Sequence, residues 1–403
     1  MHTLKDKAEE AKKRKAALGP DVDLDSFDVK ADAHERLSDL ALVGGEDRDR
    51  MIQAGVDISE SGRAGSYIQK DGTAIYAAAK DEGVEVIPIR EALEKHQWAR
   101  DHYWKLLSVD TDKYTARAYL DLHDGYVIRA LPGSRVFFPV QACLYLEKQN
   151  LSQNVHNIII AEEGSELHII TGCVTASHVS RGLHVGISEF YVKKDAKLSF
   201  TMIHHWAEDM MVRPRSVGRV EEGGLFLNNY VCMKPVKSLQ MYPTTRLVGP
   251  GAVARFYSLL VGHPGSEIDV GGRVFLEAED TRAEIVSRAI TNGGHIIARG
   301  DLSGQKPGVR GHLECRGLIL KGGLIHAIPE LRGSADGVEL SHEAAVGKIA
   351  QEEILYLMSR GLSEDEATST IVRGFLSVDI PGLPEGLKAQ IDHAVEVSQK
   401  SVM

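Results

Sequence analysis

A turn-and-strand unit recurs at nearly constant spacing through the middle of the chain, and this period constrains the fold more than any other feature. Each unit has a Gly or Asp turn residue followed by alternating apolar and polar residues, as in Gly164-Ser-Glu-Leu-His-Ile. The turns, 28 to 31 residues apart, fall at Gly164, Asp195, Gly223, Gly251, Asp280, Gly308 and Asp336. A repeat of this size buries its apolar face only against its neighbours, so the period predicts a stack of rungs.

Each turn is flanked by short apolar runs that are typical of strands. Such runs precede the turns at residues 157–161, 190–192, 245–248 and 273–277. The chain is therefore predicted to be mainly β, with a β-solenoid core. An antiparallel sandwich is the competing fold, but its strands follow one another at shorter and less regular intervals. The handedness of the solenoid does not follow from the spacing.

Helical periodicity returns on both sides of the repeat. Residues 1 to about 110 contain helical stretches at Leu4–Leu18 and Ile89–Leu107, with Gly- and Asp-rich turns between them. We thus predict an N-terminal helical or mixed domain (1–110), a β-helix core (111–340) and a C-terminal helical domain (341–403).

The C-terminal domain carries clear helix-boundary signals. Gly361 suits a left-handed helix end, and Ser363 with Glu366 three residues later forms a capping box for the next helix. A last helix is predicted to start at Pro384.

Composition excludes several classes of protein. The hydrophobic fraction of 43% and charged fraction of 26% are ordinary for a soluble chain, and no apolar run approaches the roughly 18 residues of a membrane span. Residues 1–18 lack the apolar centre of a secretory signal, which indicates a cytoplasmic protein. The net charge of −10, without a clustered basic face, argues against nucleic-acid binding.

The four cysteines stand far apart, with no C-x-x-C pair, so their spacing predicts neither a disulfide framework nor a zinc ribbon. They are Cys143, Cys173, Cys232 and Cys315. The sequence also lacks a GxxxxGK[ST] loop, and any ATP hydrolysis is therefore expected in a partner.

Three segments near the C-terminus resemble the signature of a known family. They are SHEAAVGKI (341–349), LYLMSRGLSEDEA (355–367) and IVRGFL (371–376). Together they resemble the SufB/SufD family of iron-sulfur cluster assembly proteins. The resemblance extends upstream through 311–320, Gly172-Cys173 and Pro139-Val-Gln to about residue 85. It is closest to the SufB branch, because the SufD branch lacks the cysteine and glutamate found at Cys315 and Glu343.

The resemblance implies a fold and a function. It implies a right-handed parallel β-helix between helical ends, acting as a non-enzymatic scaffold with the ABC-type ATPase SufC and delivering clusters to apoproteins. Further implied partners are a sulfur-donor desulfurase and either a second copy of the chain or a SufD-like subunit. The cluster is expected to be transient and of the 4Fe-4S type. A FAD requirement stays open, without support from any motif.

The family also implies a docking surface for SufC on the helices from Glu352 to Leu376. Its candidate residues are Tyr356, Met358, Arg360 and Phe375. The simpler alternative is that these helices only cap the end of the solenoid, as repeat arrays require.

The candidate cluster ligands are Cys315, His342 and Glu343, by resemblance and by their place in the repeat. Cys315 follows the turn at Gly308 by seven residues, and His342 and Glu343 follow Asp336 by six and seven. We therefore expect them on nearly the same face of adjacent rungs, close enough to share a metal. The alternatives are a buried apolar cysteine and a surface His-Glu pair.

A second candidate site concerns sulfur. By resemblance, Cys173 receives sulfur as a persulfide, and Trp206 lies along the transfer route inside the β-helix. His204 is a further candidate on this route, at a position where the family often has a polar amide. The residues after Gln141 depart from the family, because they lack its Arg and Asn. A core thiol is the alternative for Cys173, and Cys143 and Cys232 are interpreted as core thiols.

Two other functions compete with cluster assembly. A β-helical polysaccharide-active enzyme would need clustered carboxylates along one face and would normally be secreted. A SufD-like interaction subunit without a cluster of its own would share the fold; Cys315 with Glu343 argues against it.

Overall fold

The computed structural model describes residues 2–59 and 62–376 and shows a parallel β-solenoid of about eight turns with helices at both ends. The predicted mainly β class and solenoid are thereby confirmed. The predicted helix from Pro384 lies outside the described residues. No helix among the described residues is long and apolar enough to cross a membrane.

The described helices are α1 (Leu4–Ala11), α2 (Gly45–Gln53), α3 (Ile89–Lys95), α4 (Gln97–His102), α5 (Lys113–Leu120), α6 (Gln351–Ser359) and α7 (Glu364–Leu376), with short 3-10 turns at Leu24–Ser26 and Leu40–Leu42.

The described strands are β1 (Gly65–Lys70), β2 (Thr73–Ala79), β3 (Val84–Pro88), β4 (Tyr126–Ala130), β5 (Val140–Leu146), β6 (Ser152–Ala161), β7 (Glu166–Thr175), β8 (Arg181–Val192), β9 (Lys197–His205), β10 (Asp209–Val212), β11 (Arg215–Val220), β12 (Leu225–Cys232), β13 (Ser238–Met241), β14 (Thr244–Leu247), β15 (Val253–Gly262), β16 (Glu267–Leu276), β17 (Arg282–Thr291), β18 (His295–Gly304), β19 (Arg310–Ile319), β20 (Leu324–Gly333) and β21 (Glu339–Lys348).

Two long sheets form the walls of the solenoid. The first runs in the order β2-β1-β5-β7-β9-β12-β15-β17-β19-β21, and β18 and β20 extend the second beyond β16. Neighbouring rungs pair in parallel at the predicted period, as in Leu225 with Val253 and Arg282 with Arg310. Only β1 with β2 and β3 with β4 pair in antiparallel fashion among the described strands.

The predicted turn residues adopt the left-handed backbone that glycine and aspartate tolerate best. Gly164 has φ 67°, Asp195 54° and Gly308 73°. The last turn differs from the prediction, since the left-handed residue is Gly337 with φ 71° and not Asp336. The final unit therefore starts one residue later than expected, and one residue is enough to exchange the two faces of a strand.

Stacked aromatic rings fill the middle of the solenoid. Phe190 lies with its ring centroid 4.9 Å from Phe200 and 5.0 Å from Phe226, which in turn lies 6.0 Å from Phe256. Phe190 belongs to the second sheet and the other three residues to the first, so rings from both walls meet in one continuous apolar core.

The N-terminal region combines helices with strands. The helix predicted over Leu4–Leu18 ends at Ala11, before a run of four basic residues, and that predicted over Ile89–Leu107 is divided into α3 and α4. The buried carboxylate of Glu189 accepts hydrogen bonds from the backbone N–H groups of Trp104 (2.6 Å) and Lys105 (2.8 Å). This contact fixes the segment after α4 to the solenoid wall.

The predicted boundary between the two C-terminal helices is confirmed. Gly361 has φ 97° after α6. The Ser363 hydroxyl accepts from the Glu366 N–H at 3.3 Å, while the Glu366 carboxylate accepts from the Ser363 N–H at 2.8 Å. The side of α7 that faces the solenoid contributes Phe375 and Leu376 to an apolar cluster with strand residues such as Leu259 and Ile290.

Candidate functional site

An inward-facing column of chemically active side chains runs along the first sheet. Cys173, His204 and Cys232 are ladder partners on β7, β9 and β12, and each is at most 2% exposed. Each lies nine residues after its turn, at Gly164, Asp195 and Gly223. Adjacent rungs are about 4.8 Å apart, so the three side chains form a continuous ladder.

Aromatic rings surround the middle of this column. The Tyr230 hydroxyl lies 2.7 Å from Nδ1 of His204. The Trp206 ring centroid is 5.4 Å from that of His204 and 5.0 Å from that of His184. The structure thus brings the three predicted sulfur-transfer residues, Cys173, His204 and Trp206, into one interior cluster.

Two polar atoms of the cluster have no hydrogen-bond partner within the described part of the chain. They are Nε2 of His204 and Nε1 of Trp206. A buried polar atom without a partner is unfavourable and is frequently found at functional sites. Beside the cluster lies a cavity of about 20 Å³, with His184 and Tyr230 in its lining.

Burial keeps these groups uncharged. It raises the pKa of the Cys173 thiol well above its usual value and that of Cys232 to about 12. It lowers the pKa of His184 to about 3 and that of His204 well below the ordinary range of imidazole. Desolvation penalises the charged form in every case.

The arginines Arg213 and Arg215 are engaged in other contacts and do not act as activating cations for Cys173. Arg213 donates to the Ser238 hydroxyl at 2.8 Å, and Arg215 pairs with Asp112 at 2.8 Å. The environment of Cys173 is therefore neutral and aromatic, which differs from the usual surroundings of a reactive thiolate.

A second inward column leads from this cluster to Cys315. Tyr230, Ser258, Ser287 and Cys315 are successive ladder partners on β12, β15, β17 and β19. The two serine hydroxyls are 3.1 Å apart. All four residues lie seven positions after their turns, so polar or thiol groups continue rung by rung from the cluster toward the C-terminal end of the solenoid.

Cys315 faces the interior, where it is only 2% exposed. The pKa of its thiol is raised to about 11, chiefly by burial and secondly by the negative charge of the neighbouring Glu314. Its ladder partner on β21 is Ala344.

His342 and Glu343 lie on opposite faces of β21. His342 is the ladder partner of inward-facing Leu313, so it shares the face of Cys315, two positions away along the strand. Glu343 is the partner of outward-facing Glu314. This differs from the expected common face, and the cause is the last turn at Gly337: counted from there, Glu343 occupies the sixth position and not the seventh.

Outside the solenoid, Glu343 belongs to an ion-pair chain. Arg316 lies 3.1 Å from Glu343, while Glu314 lies 2.6 Å from both Arg316 and Arg288. Within residues 2–59 and 62–376, Cys315, His342 and Glu343 do not form a group close enough to share one ion. Their assignment as ligands stays a prediction.

Among the described residues, none covers the C-terminal end of the solenoid, which we call the open end. No residue of β21 is buried, and β21 and β20 end the order of their sheets. Large apolar side chains are exposed there, namely Leu324 (54%), Leu331 (37%) and Val346 (42%). An exposed strand edge of this kind offers unpaired backbone groups and apolar surface to another chain.

The predicted docking residues divide between two environments. On α6, Tyr356 is 58% exposed and Met358 39%. The guanidinium of Arg360, which follows α6, lies 5.3 Å from the centre of the Tyr356 ring. Phe375 packs instead against the solenoid beside Leu376. We call Leu355, Tyr356, Met358 and Arg360 the α6 patch.

A family model and the sequences of known proteins agree with the fold and with this geometry. Residues 144–375 match the family model described as SUF system FeS cluster assembly, SufBD core domain. The chain belongs to the SufBD family. The match covers the solenoid from β5 onward and both C-terminal helices.

Relatives of this SufBD protein are found in archaea. An iron-sulfur cluster assembly SufBD family protein of Methanothermobacter thermautotrophicus is 48% identical over 408 residues, covering 99% of each chain. One from Archaeoglobus fulgidus is 52% identical over 360 residues, covering 89% of this chain and 97% of its own. One from Pyrococcus horikoshii is 30% identical, covering 90% and 83%.

Sequence reasoning missed His184, Tyr230 and Cys232 as members of the interior cluster. Cys232 was detectable, because it lies nine residues after Gly223, as Cys173 does after Gly164. Tyr230 shares the seventh position with Cys315. His184 belongs to the second sheet, whose position across the interior has no signal in the repeat count.

Proposed function

We propose that this SufBD protein is a cytoplasmic scaffold that builds a nascent iron-sulfur cluster with a SufC-type ATPase and delivers it to apoproteins. The observation that carries the proposal is the pair of inward columns, which join Cys173 to Cys315 and reach the open end of the solenoid. Sulfur would enter at one cysteine, and the cluster would form near the other.

Sulfur transfer needs a thiol and an acceptor for its proton. A desulfurase would leave a persulfide on Cys173, and its terminal sulfur would then move to a second thiolate while Cys173 is released as the thiolate. His204 is the ladder partner of Cys173, and its Nε2, which has no hydrogen-bond partner among the described residues, is a candidate to pass a proton along the column while the ring stays neutral at rest. Trp206 would shield the transfer from water.

The nascent cluster, expected to be of the 4Fe-4S type, is the cargo of the scaffold. A cluster is held chiefly by thiolates, and ligands such as histidine or carboxylate allow its release. Cys315 and His342 offer two ligands on one face, and Glu343 lies on the other. We therefore propose that a second copy, or a SufD-like subunit, docks on β20 and β21 and completes the ligand set.

The α6 patch is the proposed docking surface for the ATPase. Its exposed apolar side chains lie beside the cationic Arg360, and α7 already uses its own apolar residues against the solenoid. Met358→Asp should abolish binding of the ATPase in a pull-down experiment. Phe375→Asp should instead disrupt the packing of α7 against the solenoid. Retained binding by a folded Met358→Asp variant would contradict this surface.

The opposite orientation of Cys315 and Glu343 favours a second candidate, a SufD-like subunit without its own cluster. Anaerobic reconstitution with iron, sulfide and the ATPase separates the two. The scaffold predicts bound iron and a visible charge-transfer absorption that Cys315→Ala loses. Cys143→Ala is the matched control, because this buried thiol lies outside both columns. Equal iron in the Cys315→Ala variant would contradict the scaffold.

A further inference from the structure

Three side chains from distant parts of the sequence meet at the N-terminal end of the solenoid. One ligand atom each of His34, Asp71 and Glu147 lies within 4.8 Å of the other two. Nε2 of His34 is 3.0 Å from Oδ2 of Asp71, and Nδ1 is 3.7 Å from Oε2 of Glu147. Within the described ranges, this is the one such group of three His, Cys, Asp or Glu residues.

The backbone fixes Asp71 before any ligand arrives. It occupies the two-residue turn between β1 and β2, with φ 48°, and its side chain is 1% exposed. Its Oδ1 accepts from the N–H groups of Glu147 (2.7 Å) and Lys148 (3.0 Å). Oδ2 is thereby aimed at His34. A ligand oxygen whose partner oxygen is anchored in this way is preorganised, as metal sites require.

The surrounding charges do not balance. Asp47, Asp71 and Glu147 are three carboxylates, and the only ammonium paired with them in the described structure is Lys70. Its Nζ lies 2.8 Å from Oε1 of Glu147 and 3.1 Å from Asp47. Oε2 of Glu147 and Oδ2 of Asp71 pair with the imidazole of His34. With a neutral imidazole the group carries two excess negative charges, which a divalent cation would offset.

Solvent-accessible space adjoins the group. A cavity of about 500 Å³ is lined by Ala33 and Gly72, the chain neighbours of His34 and Asp71. Asp124 lines the same cavity at 7% exposure, and its Oδ1 has no hydrogen-bond partner among the residues described. The cavity, which Lys30, Arg36 and Arg90 also line, brings water close to the chain segments that carry His34 and Asp71.

We propose that His34, Asp71 and Glu147 bind one divalent transition-metal ion through a ring nitrogen and two carboxylate oxygens. Imidazole and carboxylate together suit Mn²⁺, Fe²⁺ or Zn²⁺, whereas a thiolate-preferring ion would find no sulfur ligand here. The ion joins the segment before Leu40, the β1–β2 turn and the end of β5. It holds the N-terminal chain against the solenoid and is independent of cluster assembly.

The test uses the full chain, stripped with a chelator and titrated with Mn²⁺ without sulfide, while EPR follows the free ion. The wild-type chain should bind one Mn²⁺. His34→Ala and the isosteric Glu147→Gln should each weaken binding at least about 10-fold, the range seen when supporting groups of a metal site are lost. His295→Ala, which removes an exposed imidazole on β18, is the matched control and should bind as the wild type does.

Two further results decide the case. Mn²⁺ should raise the unfolding temperature of the wild type and of Cys315→Ala equally, because the proposed cluster site is elsewhere, but it should not affect His34→Ala. If the wild type binds no more Mn²⁺ than His34→Ala and Glu147→Gln, the group is an ion-pair network only. Should His34→Ala fail to fold, Glu147→Gln, whose side chain is 32% exposed, provides the decisive comparison.

Discussion

The middle rungs and the last rung of the solenoid differ in how many of their residues are buried. On β7, nine of ten residues are buried, whereas on β21 none is. Both strands hydrogen-bond in parallel register to a preceding rung. The backbone pairing is therefore alike, and the difference is that a rung follows β7 whereas, within the described residues, none follows β21. A repeat stabilises its neighbours, and its last unit needs another kind of cover.

The exposure of the last rung bears on the function proposed for this SufBD protein. The column through Tyr230, Ser258 and Ser287 runs through the closed rungs and ends at Cys315 on β19, directly before the exposed strand β21. A thiol that is buried in the single chain but adjacent to an open strand edge can become part of an interface without unfolding the core. The contrast between closed and open rungs leads to three predictions, in order of decreasing effect.

The largest difference concerns packing. Phe226→Ala in a closed rung should destabilise the chain by about 3 to 5 kcal/mol, because it opens a cavity in the aromatic column. Leu331→Ala in the open rung should cost less than about 1 kcal/mol, because this side chain is already 37% exposed. Denaturant unfolding measures both. Equal losses would show that the open end is packed as tightly as the middle.

Acid should weaken the closed rungs selectively. The pKa of His184 is lowered to about 3 by burial, while an unfolded imidazole titrates near 6.5. The unfolded chain therefore takes up a proton that the folded interior rejects. The contribution of neutral His184 to the free energy of unfolding should be complete above about pH 6.5. It should fall as the pH drops toward 3, with about 2 kcal/mol lost at pH 5.

The variants His184→Gln and His342→Gln separate the interior from the open end. Unfolding free energies at pH 7 and pH 5 should differ less in His184→Gln than in the wild type. His342→Gln, at an exposed position on β21, should keep the wild-type pH dependence. An unchanged pH dependence in His184→Gln would mean that the interior tolerates the imidazolium.

The smallest effect is on association. Val346→Asp places a charge on the exposed inner face of β21 and should weaken self-association at least about 10-fold, with little loss of stability. Leu42→Asp makes the same kind of change at a 63% exposed leucine far from the open end and should leave association unchanged. Sedimentation velocity measures both. A chain that does not self-associate would contradict the second-copy arrangement and leave a SufD-like partner.

Repeat counting predicted the solenoid, and the same count is sufficient to place part of its interior. Positions seven and nine after each turn place Cys173 with His204 and Cys315 with Ser287, because every closed rung keeps the same phase. The residue at which the last rung begins could not be predicted, because Asp336 and Gly337 are adjacent and both residue types tolerate a left-handed backbone. That single residue decides which face carries Glu343.

The repeat spacing could not predict how the N-terminal strands pair, for another reason. β1 pairs with β5 in the register of Gly65 with Val140, a separation of 75 residues that no repeat encodes. The metal-ligand group of His34, Asp71 and Glu147 depends on the same long-range pairing. Local spacing therefore predicts columns within the solenoid but not the sites that join it to the rest of the chain.

We propose that sulfur passes from Cys173 through the interior of the solenoid to Cys315 at the open end. Persulfide mapping by mass spectrometry, after incubation with a cysteine desulfurase and cysteine, tests it directly. We expect a persulfide on Cys173 that accumulates in Cys315→Ala, and we expect no persulfide on Cys315 in Cys173→Ala. A persulfide on Cys315 that persists in Cys173→Ala would contradict the interior route.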